Sequence, residues 1–437
     1  MAQITATGGC AHPIHLKGAI TTRDGVTGEV LHHYDTANEP HERLLIRCRN
    51  RRETVCAPCS RLHAGDTFHL VRAGLVGGKT VPADVREYPR LFVTLTAPSF
   101  GPVHRITTDN ERCHPRRNAG HCEHGRRLGC PATHDTADPV AGQPLCHDCY
   151  DYPAHVLWHA YAGRLWKAFT DNLYNHLAAR TGRTRTGLRR AVRISYAKVA
   201  EYQKRAAVHL HAVVRLDGAN GPGDPPPTWA SAEELTAVVR TSAAAVNLRT
   251  PYSRALGERE LRWGSQLDVR PLRAFGGSEG LADEAVAAYV AKYVTKGAAD
   301  TAMGLDHPIT GPHDFAAGWL SAHVRTLIHT CWRLGGIPEL ESLRLRAWAH
   351  TLGYRGHILT KSRAYSTTYA ALRTERAQYQ RAATTAGLPE APDAITDAHW
   401  RYVGSGHSPG AALVAAGTAE DLAANREIAR DALGGER

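Results

Sequence analysis

Residues 207–216 read AVHLHAVVRL, and the period of that stretch decides the fold. Successive strand residues point to opposite faces of a sheet. Val208, Leu210, Ala212, Val214 and Leu216 therefore share one apolar face, while His209, His211, Val213 and Arg215 share the other. This is the alternation of a half-buried strand, with two imidazoles projecting from the same side, close enough to hold one metal ion. Residues 201–211, EYQKRAAVHLH, place a carboxylate eight positions before the first His. A hairpin turn between Gln203 and Ala207 sets Glu201 on the neighbouring strand, opposite the pair. Two imidazoles and one carboxylate leave coordination positions open, as a catalytic metal requires. Carboxylate and water suit Mg²⁺ or Mn²⁺, and two His also tolerate Zn²⁺. The chain has 26 His, so an isolated His-x-His could equally be a pair of hydrogen-bonded side chains. Its company decides between the two.

The 437 residues suggest two or three domains, and 43% hydrophobic content supplies real cores. The net charge of +11 points to a polyanionic partner such as nucleic acid. Only eight of the 53 basic residues are Lys. Arg forks onto phosphate, although a GC-rich genome gives the same bias. There is no apolar run of roughly 18 residues, and the start MAQITATGGC has no signal-peptide pattern. The expected location is the cytoplasm, with no membrane partner. Thiols there stay reduced, so ten Cys, nine of them before residue 150, suggest metal.

Along the chain, RLFVTLTAPSF (90–100) reads as a strand stopped by Pro98, and residues 110–150 as a turn-rich Cys/His insert. Residues 154–180 have helical spacing, with Leu157, Tyr161, Leu165, Phe169 and Leu173 on one stripe. Residues 188–202 lead into a strand. Ser231 with Glu234 opens a further helix as a capping box. QLDVRPL (266–272) is a short strand, and 282–297 a helix with Asp283 as N-cap and Gly297 as C-cap. In that helix YVAKYVTK (289–296) writes Tyr-x-x-Lys twice. Tyr289 and Tyr293 stack four apart, and Lys292 and Lys296 each follow a Tyr by three. A phenol of pKa near 10 is a weak nucleophile until a cation assists it. The same pattern also fits a helix with packed aromatics and solvated lysines.

FVTLTAPS (92–99), VHLHAVV (208–214) and YVAKYVTK (289–296) together, in this order, resemble the three motifs of the HUH endonuclease superfamily. GGKTVPADV, PLCHDCYDY, VRISYAKVAEYQKR, LDVRPL and GYRGHILTKSRAYSTT are closer still to one branch, the rolling-circle replication initiators of actinobacterial plasmids and integrative elements. This resemblance runs to about residue 383. It implies that a metal on Glu201, His209 and His211 polarises a scissile phosphate of single-stranded or hairpin-extruded origin DNA. A tyrosine then attacks, leaving a 5′-phosphotyrosyl bond and a free 3′-OH. Single-nucleophile relatives match at Tyr293, which is therefore the expected first nucleophile, with Tyr289 as the second; in two-tyrosine relatives both residues alternate. Lys292 and Lys296 would neutralise phosphate. The same residues fit a relaxase or single-strand transposase, and a non-enzymatic reading is a zinc-bearing DNA-binding regulator.

Cys122, Cys130, Cys146 and Cys149 offer four thiolates for a closed tetrahedral Zn²⁺, with Cys113, His121, His134 and His147 as competing ligands. Cys48, Cys56 and Cys59 repeat the spacing, with Cys10 as natural fourth and His12, His15 and His63 competing. Such zinc staples segments too polar to build a core. AGLVGGKT (73–80) fits a relaxed P-loop, but a working one needs a helix starting at Lys79-Thr80. We expect no ATP site, and hence a host helicase as partner. RRNAGHCEHGRR (116–127), RTGRTRTGLRR (180–190) and YRGHILTKSRAYS (354–366) could each track a phosphate backbone.

The expected fold is α/β: an HUH-type antiparallel sheet with helices on one face, zinc-bound N-terminal and inserted modules, and a helical C-terminal region. The expected domains are 1–85 (zinc module), 86–300 (endonuclease, insert 110–150) and 301–437, with the tail beyond about 383 poorly ordered.

Overall fold

The computed structural model describes residues 1–107, 111–115, 120–272, 283–295, 308–311, 314, 320–384 and 393–434. It divides into two units, Thr67–Thr367 and Met1–Asp66 with Thr368–Arg437. This differs from the sequence-based boundaries: the chain beyond residue 300 is shared between the units.

The larger unit is built on a five-stranded sheet. Its strands are β1 (Arg90–Leu95), β2 (Val192–Tyr202), β3 (Val208–Gly218), β4 (Leu267–Pro271) and β5 (Leu359–Lys361), in the spatial order β5-β2-β3-β1-β4. Every neighbouring pair is antiparallel. The β2–β3 hairpin closes where Gln203 N donates to Ala207 O and Ala206 N to Gln203 O. Val208, Leu210, Ala212, Val214 and Leu216 are essentially fully buried against a long helix, α2 (Tyr152–Arg180), whose Leu157, Leu165 and Phe169 are inaccessible to solvent. Asp151 caps that helix by accepting from Ala154 N. A second helix in this layer, α3 (Ala232–Ala244), is opened by Ser231, whose hydroxyl accepts from Glu234 N; this is half of the capping box, since the Glu234 carboxylate takes Arg180 instead.

Helices do not lie on one face alone. The face carrying His209 and His211 also presents Val213, Val199 and Ala197, all buried. They are covered by a helix, α4 (Asp283–Thr295), which packs on β2, while Arg90 and Arg215 reach carbonyls at the end of α1 (Ala57–Val76). Apolar residues on both faces of a sheet need cover on both. After α1, Gly78 and Val81 exchange backbone bonds around Lys79 and Thr80, both at positive φ. This is a tight turn, and no helix begins at Lys-Thr to receive a phosphate.

Lys198 is the charged residue under α2. It is 4% exposed, its ammonium lies 5.5 Å from the centre of the Trp166 ring, and burial pushes its pKa down to about 8. Unfolded, it keeps the ordinary value near 10.4, so stability rises with pH between about 8 and 10, and below 8 the folded state carries the full penalty. Lys198→Met is therefore expected to stabilise the fold at pH 7 by on the order of 2–3 kcal/mol, and by clearly less at pH 9.5. Urea midpoints at the two pH values check this; an equal gain at both contradicts it.

In the other unit, strand Ile14–Arg23 pairs antiparallel with Ile395–Ser405 along its whole length, and with Val30–Asp35 and Leu44–Ile46. Residues 395–405 and the helix Pro409–Gly434 give the segment beyond 383, which the sequence reading treats as a poorly ordered tail, regular structure. The reason is long-range pairing, which local composition does not encode. No described helix is long and apolar enough to cross a membrane.

Candidate functional site: a three-donor centre facing a tyrosine

Glu201 on β2 pairs directly with His209 on β3, and strand alternation puts His211 beside them. Glu201 Oε2 lies 2.9 Å from both His209 Nε2 and His211 Nε2, which are 3.0 Å apart. His211 is buried; Glu201 and His209 are half-buried, leaving one side open. Thr94 Oγ1 on β1 meets His211 Nδ1 at 3.0 Å, and Phe92 stacks on the imidazole. A ring whose Nδ1 is held by a hydroxyl presents Nε2 to the centre.

The donor set fits a divalent cation. An octahedron with bonds of about 2.1 Å has edges of about 3.0 Å, so the three atoms match one triangular face and leave the other three positions free. Hydrogen bonding alone accounts for the cluster poorly. His211 Nε2 has Glu201 Oε2, His209 Nε2 and the Tyr289 hydroxyl all within about 3 Å, and one N–H serves one of them. Burial works to raise the Glu201 carboxyl, but hydrogen bonds and charge from His209 and His211 outweigh it and bring it down to about 2. Burial also lowers His211, so it gives up its proton to a metal more readily than an ordinary imidazole.

Helix α4 brings Tyr289 onto this centre. Its hydroxyl is 3.1 Å from Glu201 Oε2, to which it donates, and 3.0 Å from His211 Nε2; its ring meets Phe92 edge to face. Of the other residues the tyrosine motif singles out, Lys292 is exposed one turn on. The Tyr293 side chain and Lys296 lie outside the described residues.

The helix is anchored at its first residue. Asp283 Oδ1 accepts from Arg90 Nη1 at 2.8 Å, with the two side chains 2% and 0% exposed, and the same Nη1 donates to Leu75 O. Removing one partner of a buried pair costs about 3–5 kcal/mol. Asp283→Ala should therefore melt well below the parent, as read by calorimetry. A variant melting with the parent contradicts the anchor.

Nine of the ten cysteines fall into three groups, and Cys331 is buried in the core. Cys10, Cys48, Cys56 and Cys59 converge as the spacing suggests, Cys10 Sγ lying 3.8 and 3.6 Å from Cys56 and Cys59. That separation excludes a disulfide and matches the roughly 3.8 Å edge of a tetrahedron with 2.3 Å Zn–S bonds. Backbone N–H groups of Ala11, Cys48 and Asn50 point at the sulfurs. In the insert the grouping departs from the sequence-based one. Cys122, Cys146 and Cys149 gather with His124, not with Cys130. Cys130 joins His104, Cys113 and His134. The signals that could have revealed this are the short spacings Cys122-x-His124 and Cys130-x₃-His134.

Sequence reading also missed Arg90, Phe92 and Thr94, although the last two lie in the FVTLTAPS motif and face His211 by alternation. Among the basic segments, Arg180 and Arg185 pair with Glu234 and Asp171, and 354–366 holds β5 and the buried Tyr365.

Comparison of the sequence with known proteins places the chain among those that start DNA replication. The chain belongs to the RepSA family, described as replication initiator protein, pSAM2, whose model matches residues 1–420. It is 45% identical to a replication initiator protein of Streptomyces ambofaciens over 99% of this chain and 92% of that one. No solved structure matches it.

Proposed function

We propose that this initiator nicks and rejoins one strand of single-stranded or hairpin-extruded origin DNA, by an HUH-type mechanism. The observation that carries the reading is the Tyr289 hydroxyl within about 3 Å of two of the three convergent donors. Glu201, His209 and His211 would hold Mg²⁺ or Mn²⁺, which supplies Lewis-acid charge to a non-bridging oxygen of the scissile phosphate. Glu201, which accepts from the Tyr289 hydroxyl, orients the phenol. The phenol oxygen gives its proton to solvent and bonds to phosphorus, the P–O3′ bond breaks, the 3′ oxygen takes up a proton from solvent to become a primer hydroxyl, and the 5′ phosphate stays on the tyrosine; attack by a 3′-OH reverses the step and religates. Tyr293, four residues on in the same helix, is the second phenol, and Lys292 and Lys296 add charge for phosphate. Positioning and charge do most of the work, since little covalent chemistry remains. Arg-dominated positive charge holds the DNA, and a host helicase unwinds it in the cytoplasm. Structural Zn²⁺ at Cys10, Cys48, Cys56 and Cys59, and at Cys122, His124, Cys146 and Cys149, holds segments that lack a core.

The test incubates the full chain with a single-stranded origin oligonucleotide and Mn²⁺. The expected result is a covalent protein–DNA species plus a fragment that a polymerase extends, both abolished by EDTA. Tight binding without cleavage at any divalent metal refutes the nuclease and favours the regulator.

A further inference from the structure

We propose that His104, Cys113, Cys130 and His134 bind a third structural Zn²⁺, and that the insert is cross-braced by two metal ions. The four ligand atoms lie within 4.8 Å of one another. His104 Nδ1 is 3.1 Å from His134 Nε2 and 3.9 Å from Cys113 Sγ, and Cys130 Sγ is 3.4 Å from His134 Nε2. Cys113, Cys130 and His134 are buried, where an uncoordinated cluster of polar donors is costly.

The surroundings orient the donors. Asp138 Oδ2 meets His134 Nδ1 at 2.7 Å, turning Nε2 inward, which is the carboxylate–histidine arrangement of metal sites. Arg105 N donates to Cys113 Sγ at 3.3 Å. His114 and Cys130 exchange backbone bonds, fixing the loop that carries one sulfur. All cysteines are free thiols. Two sulfurs and two imidazoles in a closed group select Zn²⁺ over the hard cations.

Order along the chain supplies the second argument. The ligand pairs run 104/113, 122/124, 130/134, 146/149, and the two groups take alternate pairs. Each ion thus closes a loop containing ligands of the other. Between 101 and 150 the described residues form isolated bridges and turns but neither a helix nor a strand, so metal is what holds this segment.

Native mass spectrometry of the full chain tests this, in a His209→Ala/His211→Ala background that removes the open site. Three zinc ions per chain are expected, falling to two or fewer in Cys113→Ser/Cys130→Ser. Asp138→Asn should keep three but release one to a chelating dye tenfold or more faster, a rate that a merely structural Asp138 would not change. Two ions in the starting chain, a Cys113–Cys130 disulfide in its peptide map, or three ions retained after the double Ser substitution overturns the proposal. None of these outcomes bears on whether the chain nicks DNA.

Discussion

If the proposed mechanism holds, Tyr289→Phe is expected to lower strand cleavage by about 10³-fold or more while origin binding changes little. The substitution removes one oxygen and leaves the ring, so its edge-to-face contact with Phe92 and the packing of α4 persist. What disappears is the atom 3.0–3.1 Å from His211 and Glu201. Transfer to Tyr293 would appear as residual adduct that the double Phe variant abolishes. Gel-resolved covalent adduct and fluorescence-anisotropy binding, on one preparation, separate chemistry from affinity. An unchanged rate in the double variant removes both phenols from the mechanism.

His211→Ala has the second large effect. It takes one of three donors and also the group that Thr94 and Phe92 orient. Mn²⁺ affinity should fall more than about 100-fold, since loss of an outer partner alone costs 10–100-fold. The pH dependence follows from the same residues. Burial lowers His211 below the ordinary imidazole value, and Glu201 is held near 2, so in the parent these two stay ready to ligate at neutral pH. Protons compete as the pH falls through that lowered His211 value, where affinity and cleavage should decline together. Calorimetric Mn²⁺ titration across that range checks both points; equal affinity in the variant contradicts the ligand assignment.

Much of this site is legible in AVHLHAVVRL and its neighbours. A period of two places the imidazoles on one face, and an eight-residue offset across a short turn sets Glu201 opposite His209, because both follow from local geometry. The Cys10 group is legible for a related reason: four thiols in an N-terminal segment have few other partners. The insert is different. Ligand choice there depends on how irregular loops close in space, and nothing in the order of Cys and His says that alternate pairs combine. Long-range pairing hides the return of 395–405 to strand 14–23. The Arg90–Asp283 anchor joins residues far apart in the chain: Asp283 alone reads as a helix N-cap and Arg90 as the first residue of a strand, and neither points to the other.

The most direct measurement is the mass of the peptide left on the 5′ end of cleaved origin DNA after proteolysis. The account predicts nucleotide on Tyr289, within the peptide spanning α4, formed only with divalent metal present. DNA on a tyrosine outside that helix, on Tyr293 alone, or in equal yield under EDTA would contradict it.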